Sequence, residues 1–283
     1  MTLNSTDMTN RYTVITGASD GIGLETAKAL AARGIDLTLL VRSMERGEQA
    51  ARAIRAEGDA DVDVLRCDLM DLGSVRAAAA ELVDRGRPVD VLLNNAGATF
   101  SEYGESPEGV ERTMAVNHVG HFVLTHHLMP VLEAGGGARV VNVASDAHYR
   151  GTVDPDDVNR ADDYTVFGHY CNSKQANVLF TKALARRAAD RGITTYALHP
   201  GLVRTRIGNK AETWWHGLLW SVFSAFGRGP GKGAETSVFL ATADDVGAES
   251  GSYFADKTAK RPYGKTLDED LQDRFWMWSM SYV

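Results

Sequence analysis

The sequence predicts an α/β fold, a doubly wound parallel sheet with helices on both faces, formed as a single domain over residues 1–283. Three observations predict it. Short apolar, β-branched runs alternate with longer helical patterns. A glycine-rich turn joins the first run to the first helix. No Pro/Ser-rich linker, low-complexity tract or internal repeat divides the chain. Fully apolar strands set between helices indicate a parallel sheet covered on both sides. Right-handed crossovers then gather the functional loops at the strand carboxyl ends.

Taken in order, the run at 12–16 is a strand and 21–33 a helix, followed by a strand at 37–41 and a helix at 45–57. Runs at 62–66, 89–94, 139–144 and 194–198 continue the strands, with helical sequence between them. The rhythm breaks at 206–232, an insertion read as a lid, ahead of a helix near 233–242. A last strand around 252–255 and a C-terminal extension, 256–283, with a helix around 267–278, complete the chain.

Apolar residues at 44% and charged residues at 24% suit a globular chain with a substantial core. A formal charge of −7 argues against a nucleic-acid-binding surface, which needs clustered Lys and Arg. The two cysteines, Cys67 and Cys171, have neither disulfide-scaffold density nor metal-like spacing, so a reducing compartment is the simpler reading. The stretch before Tyr12 is polar, without the apolar run of a signal peptide, and nothing approaches the ~18 apolar residues of a membrane span. A cytoplasmic protein is expected.

The turn Thr16-Gly17-Ala18-Ser19-Asp20-Gly21-Ile22-Gly23 lies where the first strand gives way to the first helix. Gly17 can adopt angles that side chains forbid, and Gly21 and Gly23 let a pyrophosphate approach the backbone at a helix start. In this position the turn marks a Rossmann-like dinucleotide site; alone, it would also suit any tight strand–helix turn. An acidic residue at the end of the second strand would receive a ribose 2′-hydroxyl. This chain has Arg42 there instead, whose planar fork suits a 2′-phosphate, with Arg46 one helical turn later. NADP(H) is therefore expected ahead of NAD(H), which remains possible.

Tyr170 and Lys174, four residues apart in a helical pattern, share one face. A nearby ammonium favours a phenolate, and a phenol with an ordinary pKa near ~10 needs about 4 kcal/mol of such help to exchange protons near neutrality.

Together these features resemble the short-chain dehydrogenase/reductase family over nearly the whole chain to about Ala255. The glycine turn is similar to its Thr-Gly-x-x-x-Gly-x-Gly, and Asn94-Asn95-Ala96-Gly97 to its Asn-Asn-Ala-Gly. Asn117, Ser145, Tyr170 and Lys174 fall in the order of its tetrad, and Pro200-Gly201 with Val203 and Thr205 resembles its nicotinamide loop. Cys67-Asp68-Leu69, His118-Val119-Gly120-His121-Phe122 and Ser145-Asp146-Ala147-His148 look most like the retinol-dehydrogenase-like branch. The resemblance implies Tyr170 as proton donor and acceptor, with Ser145 orienting the substrate oxygen. It implies Lys174 on the nicotinamide ribose and Asn117 anchoring a relay water. Asp68 and Leu69 would flank the adenine, and Asn95, Ala96 and Gly97 would line the adenosine side. One departure is Asp20, where NADP(H)-preferring relatives often carry a basic residue.

His118, His121, His126 and His127 are dense, but no carboxylate or thiolate completes a metal set, so structural or surface histidines and no metal are expected. His148 is a candidate substrate contact. The segment 214–223 carries Trp214, Trp215, Leu218 and Trp220, too apolar for an exposed loop. Trp214, Trp215 and Leu218 would touch substrate if it is a lid; a membrane-surface helix and packing against the body or another subunit are the alternatives. The expected activity interconverts a carbonyl and an alcohol on a small apolar substrate, in a homo-oligomer. A dehydratase, epimerase or cyclase of the same fold, or a cofactor-binding redox sensor, are the rival readings.

Overall fold

The computed structural model describes residues 11–201 and 229–283. Of the sequence expectations, Val203, Thr205, Trp214, Trp215, Leu218 and nearly all of the 206–232 insertion lie outside these residues.

One eight-stranded sheet carries the fold. Its strands are β1 (Tyr12–Thr16), β2 (Asp36–Val41), β3 (Val62–Arg66), β4 (Val91–Asn94), β5 (Arg139–Val143), β6 (Thr194–His199), β7 (Tyr253–Ala255) and β8 (Thr258–Lys260). Their order across the sheet is β3-β2-β1-β4-β5-β6-β7-β8. All neighbouring pairs are parallel except β7 and β8. The order reverses between β1 and β4, and a crevice opens at their carboxyl ends, as in other doubly wound sheets.

The strands bury differently. β1, Tyr-Thr-Val-Ile-Thr, is buried at every residue because helices cover both its faces. β3 sits at the edge, where Asp63 and Arg66 are exposed; charges on an edge discourage pairing with another chain. The opposite edge departs from expectation. Residues 258–260, placed by sequence in the extension, instead form an antiparallel strand through a tight turn with Asp256 and Lys257 at φ 49° and 59°. Those angles belong to the two-residue hairpin turn, which usually takes Asn and Gly, and Asp-Lys is a weak signal for it.

The α-helices among the described residues are α1 (Gly21–Ala31), α2 (Met44–Arg55), α3 (Leu72–Asp84), α4 (Arg112–Met114), α5 (Gly120–Ala134), α6 (Val166–Arg187), α7 (Pro230–Thr242) and α8 (Glu269–Met280). α7 begins at Pro230, so residues 230–232 are its first turn and not part of an insertion. Leu30, Ile54, Leu240 and Phe254 centre the core on one face of the sheet; Leu82, Phe122, Leu179 and Phe275 centre it on the other. Phe275 belongs to α8, so the C-terminal helix is part of this second core and packs against α6. Among the described residues, no helix is long and apolar enough to cross a membrane.

Candidate active site

The cofactor end of the crevice is built by backbone. Gly17 and Gly21 have φ of 70° and 57°, the left-handed region where a side chain is strained. A Cβ on Gly17 would stand 2.9 Å from Ala96 Cα, and one on Gly23 would stand 2.5 Å from Gly17 O. Thus Gly23 lets the turn fold against itself and Asn95. Thr16 is the joint that sequence reasoning missed. Its Oγ1 accepts from both Asn95 N and Ala96 N at 3.0 Å, and Asn95 Nδ2 donates back to Thr16 O at 2.9 Å. The motif places a threonine there, but nothing in the sequence says which amides its hydroxyl holds. The helix start differs from expectation in one respect. Asp20 caps it, its carboxylate accepting from Gly21 N at 2.8 Å, so that N–H is already engaged.

A cleft of about 430 Å³ runs from this turn to the carboxyl end of β5. Gly17, Ser19, Asp20, Gly21, Ile22 and Gly23 line one end, with Arg42, Arg46, Asp68 and Leu69. Asn95, Ala96, Gly97, Tyr170, Lys174 and Pro200 line the rest, and Gly201, at φ 84°, turns the chain just beyond. The two arginines are not equivalent. Arg46 Nη2 lies 3.3 Å from Asp20 Oδ2, whereas Arg42 is exposed in the cleft with no ion-pair partner among the described residues. Asp68 is partly committed, its Oδ1 accepting from Met70 N at 3.1 Å. The Cys67 thiol is buried and pushed up to about 12, which leaves it inert.

The proton-handling end assembles from separate segments. Asn117 is fully buried in a π-helical turn, Ala115–Val119, of a kind common at functional sites. Its Oδ1 accepts from Ala98 N at 2.7 Å, and its Nδ2 donates to Ala98 O and Ser173 Oγ, both at 3.0 Å. The side chain therefore clamps the loop after β4 to α6. Ser145 caps the 3-10 turn Asp146–Arg150, accepting from Ala147 N at 3.2 Å, which leaves its hydroxyl proton to be donated elsewhere. Tyr170 and Lys174 lie one turn apart on α6, with Nζ 5.6 Å from the phenol ring centre.

Lys174 is buried and donates to Val143 O at 3.0 Å; burial brings its pKa down to about 8. Burial also raises the Tyr170 phenol above its ordinary value, and a hydrogen bond with Ser145 works against that rise. The lowering expected from Lys174 is thus not present in the protein alone. A neutral phenol at pH 7 is the form that can give up a proton.

The histidines separate into two groups. His118 and His121 are fully buried, brought down to about 3 and about 4 by loss of solvation, while His126 and His127 are partly exposed. His121 accepts from Thr16 at Nε2, 2.9 Å, and donates from Nδ1 to Asn117 O, 3.1 Å. Thr16 Oγ1 already accepts from two amides, which fixes that direction. His148 is corrected from its expected place on the substrate. It is fully buried, with Nδ1 on Ser145 O at 2.7 Å and Nε2 accepting from Tyr263 N at 3.1 Å. Among the described residues, no group of three His, Cys, Asp or Glu is placed to hold a metal.

A nucleotide cradle that ends at a phenol, an ammonium and a hydroxyl defines a class: nicotinamide-dependent oxidoreductases, in which hydride and proton move at one carbon–oxygen bond. The chain belongs to the short-chain dehydrogenase/reductase family, whose family model, described as short chain dehydrogenase, matches residues 11–215. It is 40% identical to retinol dehydrogenase 12 of Bos taurus over 269 residues, 94% of this chain and 84% of that protein. It is 38% identical to human retinol dehydrogenase 13 over 278 residues, 95% of this chain and 83% of that one. A solved protein of uncharacterized function from Mycobacterium paratuberculosis matches with a TM-score of 0.78 and 31% identity, covering 98% of this chain and 94% of its own. A short-chain type dehydrogenase/reductase from Mycobacterium marinum matches with a TM-score of 0.71 and 25% identity, covering 88% and 94%. Within the family, this chain is an oxidoreductase of the retinol-dehydrogenase-like branch.

Proposed function

We propose that this protein interconverts an aldehyde or ketone and the corresponding alcohol on an apolar substrate, with NADP(H) preferred over NAD(H). The observation that carries the reading is one continuous cleft lined by Arg42, which has no ion pair among the described residues, at one end and by Tyr170 and Lys174 at the other, with Ser145 hydrogen-bonded to Tyr170. The cradle fits a dinucleotide: Gly17 and Gly21 hold the positive φ of the turn, Gly17 and Gly23 let it pack against Ala96 and Asn95, and Gly97 has room beside Asn117 and Lys174. Arg42 would receive a 2′-phosphate, Asp68 and Leu69 would flank the adenine, and Asn95, Ala96, Gly97, Pro200 and Gly201 would complete the walls. When bound, the nicotinamide supplies or takes the hydride.

The protein's own groups handle the proton. Tyr170 donates from its hydroxyl to the substrate oxygen during reduction and recovers that proton during oxidation. Ser145, its lone pair held by Ala147 N–H, donates to the same oxygen and orients it. Lys174 provides positive charge beside the phenolate left by proton transfer, where low dielectric strengthens the attraction. Asn117 fixes the loop that faces the reacting groups.

Retinol dehydrogenases 12 and 13 act, by name, on an apolar polyene alcohol, which supports an apolar substrate here. The test is NADPH oxidation by the purified chain with a panel of retinoid, steroid and long-chain aldehydes and ketones. Oxidation that requires the carbonyl supports the reading. Product formed without change in nicotinamide absorbance would place the chain among the dehydratases, epimerases or cyclases of this fold.

A further inference from the structure

Two buried histidines stand beside two residues of the proton-handling end, and both grip the same distant stretch of chain. His118 follows Asn117 in the π-helical turn, and its Nε2 lies 2.9 Å from Ser279 Oγ on α8. Ser279 gives its own proton to Phe275 O at 2.9 Å, so its oxygen accepts and His118 Nε2 donates. The imidazole sits between Phe275 of α8 and Phe180 of α6, ring centres 4.9 and 5.8 Å away. The ring is fully buried; its Nδ1 makes no well-formed hydrogen bond, and the Asn177 side chain on α6 is its other polar neighbour. Burying an imidazole is costly unless its polar atoms are used, and the one firm bond it makes is to Ser279.

The second grip is at Ser145. His148 holds Ser145 O through Nδ1 and receives Tyr263 N–H at Nε2, at 2.7 and 3.1 Å. The adjacent Tyr149 donates its hydroxyl to Arg261 O at 2.5 Å. Behind the turn, Tyr253 donates to Asp146 Oδ1 at 2.8 Å. Both gripped segments are intrinsically weak, one a π-helical turn and the other a short 3-10 turn. Their geometry needs support from outside.

We infer that the C-terminal segment from Arg261 to Val283 is a positioning part of the active site, with His118 and His148 as clasps through which it sets Asn117 and Ser145. The inference rests on the roles proposed above for those two residues. Among the described residues, Ser279 and Tyr263 are not part of the cleft lining, and their hydrogen bonds toward the site run to His118 and His148.

The test uses the full chain and measures amide hydrogen exchange by segment alongside steady-state kinetics with NADPH and a carbonyl substrate. Ser279→Ala removes the first clasp. Tyr263→Pro removes the second by deleting one N–H, since Tyr263 already has φ −55°, which proline accepts. Tyr263→Ala, which keeps the N–H, is its control. Ser279→Ala is expected to speed exchange about fivefold across 115–119, and Tyr263→Pro to do so across 145–151, with 17–23 unchanged in both. Turnover should fall about tenfold in each while KM and NADPH affinity hold within about twofold. Tyr263→Ala should behave like wild type. Unchanged exchange at both turns, unchanged turnover, or uniform loosening of the whole fold would overturn the inference. Should wild type itself oxidise no NADPH with any carbonyl, the proposed activity falls, and the two-segment exchange pattern still decides the clasps.

Discussion

At one end of the cleft, consecutive residues from Thr16 to Gly23 form a nucleotide cradle from backbone angles and missing side chains. At the other, Asn117, Ser145, Tyr170 and Lys174 converge from three different segments, with Asn117 bonded to Ala98 and His121, Ser145 O to His148, and Lys174 to Val143 O. The first end is shaped mainly by consecutive residues, its glycines at positive φ, with one tertiary tie from Thr16, Gly17 and Gly23 to the Asn95–Ala96 loop. The second is set by tertiary contacts, so its accuracy depends on the docking of α6 and α8. Substitutions at the first end should therefore damage cofactor binding, and those at the second should damage turnover.

The largest expected effect is at Tyr170. Tyr170→Phe keeps the ring and removes the proton, and turnover should fall about 10³-fold. Retained turnover, measured in steady state, would break the comparison at once. Next is Gly23→Ala, which drives a methyl into Gly17 O and Asn95. Affinity for NADPH and NADH alike should drop about 100-fold by titration calorimetry, since the turn itself must shift. Arg42→Ala should weaken NADPH by about 10–100-fold, the equivalent of one lost charge-assisted contact, and leave NADH within about threefold. Arg46→Ala should change either affinity less than about threefold, because Arg46 is already paired with Asp20. Equal loss of both cofactors in Arg42→Ala would contradict the 2′-phosphate reading.

The smallest effects at neutral pH come from the buried histidines, and acid reveals them. Burial lowers His118 to about 3 and His121 to about 4 from an ordinary 6.5, and lowers His148 as well. The unfolded chain then binds more protons than the folded one below pH ~6.5, so stability is intact above that value and declines as pH falls toward 4. His118 and His121 should each contribute about 1.4 kcal/mol of loss per pH unit in that window. Urea midpoints at pH 7.5 and 5.0 should differ clearly. Equal midpoints would show that these rings are protonated without cost.

The same contrast explains what the sequence made legible. The alternation of strands and helices, the glycine turn and the Tyr170–Lys174 spacing are short-range patterns, and each appears in the fold where expected. Gly23 was legible as a required glycine, although its reason is contact with Gly17 O and Asn95. His148 misled because closeness to Ser145 in sequence says nothing about which way the ring turns. It turns inward, toward Tyr263, a partner more than a hundred residues away. Thr16 and Asp20 were legible as parts of the glycine turn, but their hydrogen-bonding roles were not, and Ser279 carries no pattern because its partner exists only once α8 is docked. β8 was hidden for a different reason, since its turn uses Asp256 and Lys257 where glycine is usual.

The central claim is that the two ends of the cleft do separable work. The most direct measurement sets Tyr170→Phe beside Arg42→Ala and determines NADPH affinity and maximal turnover on each preparation. The account predicts opposite losses. Tyr170→Phe should bind NADPH within about threefold of wild type and turn over almost nothing, and Arg42→Ala should bind weakly yet keep its turnover at saturating NADPH. If Tyr170→Phe still reduces its carbonyl substrate, or if both variants lose binding and turnover together, the account is contradicted.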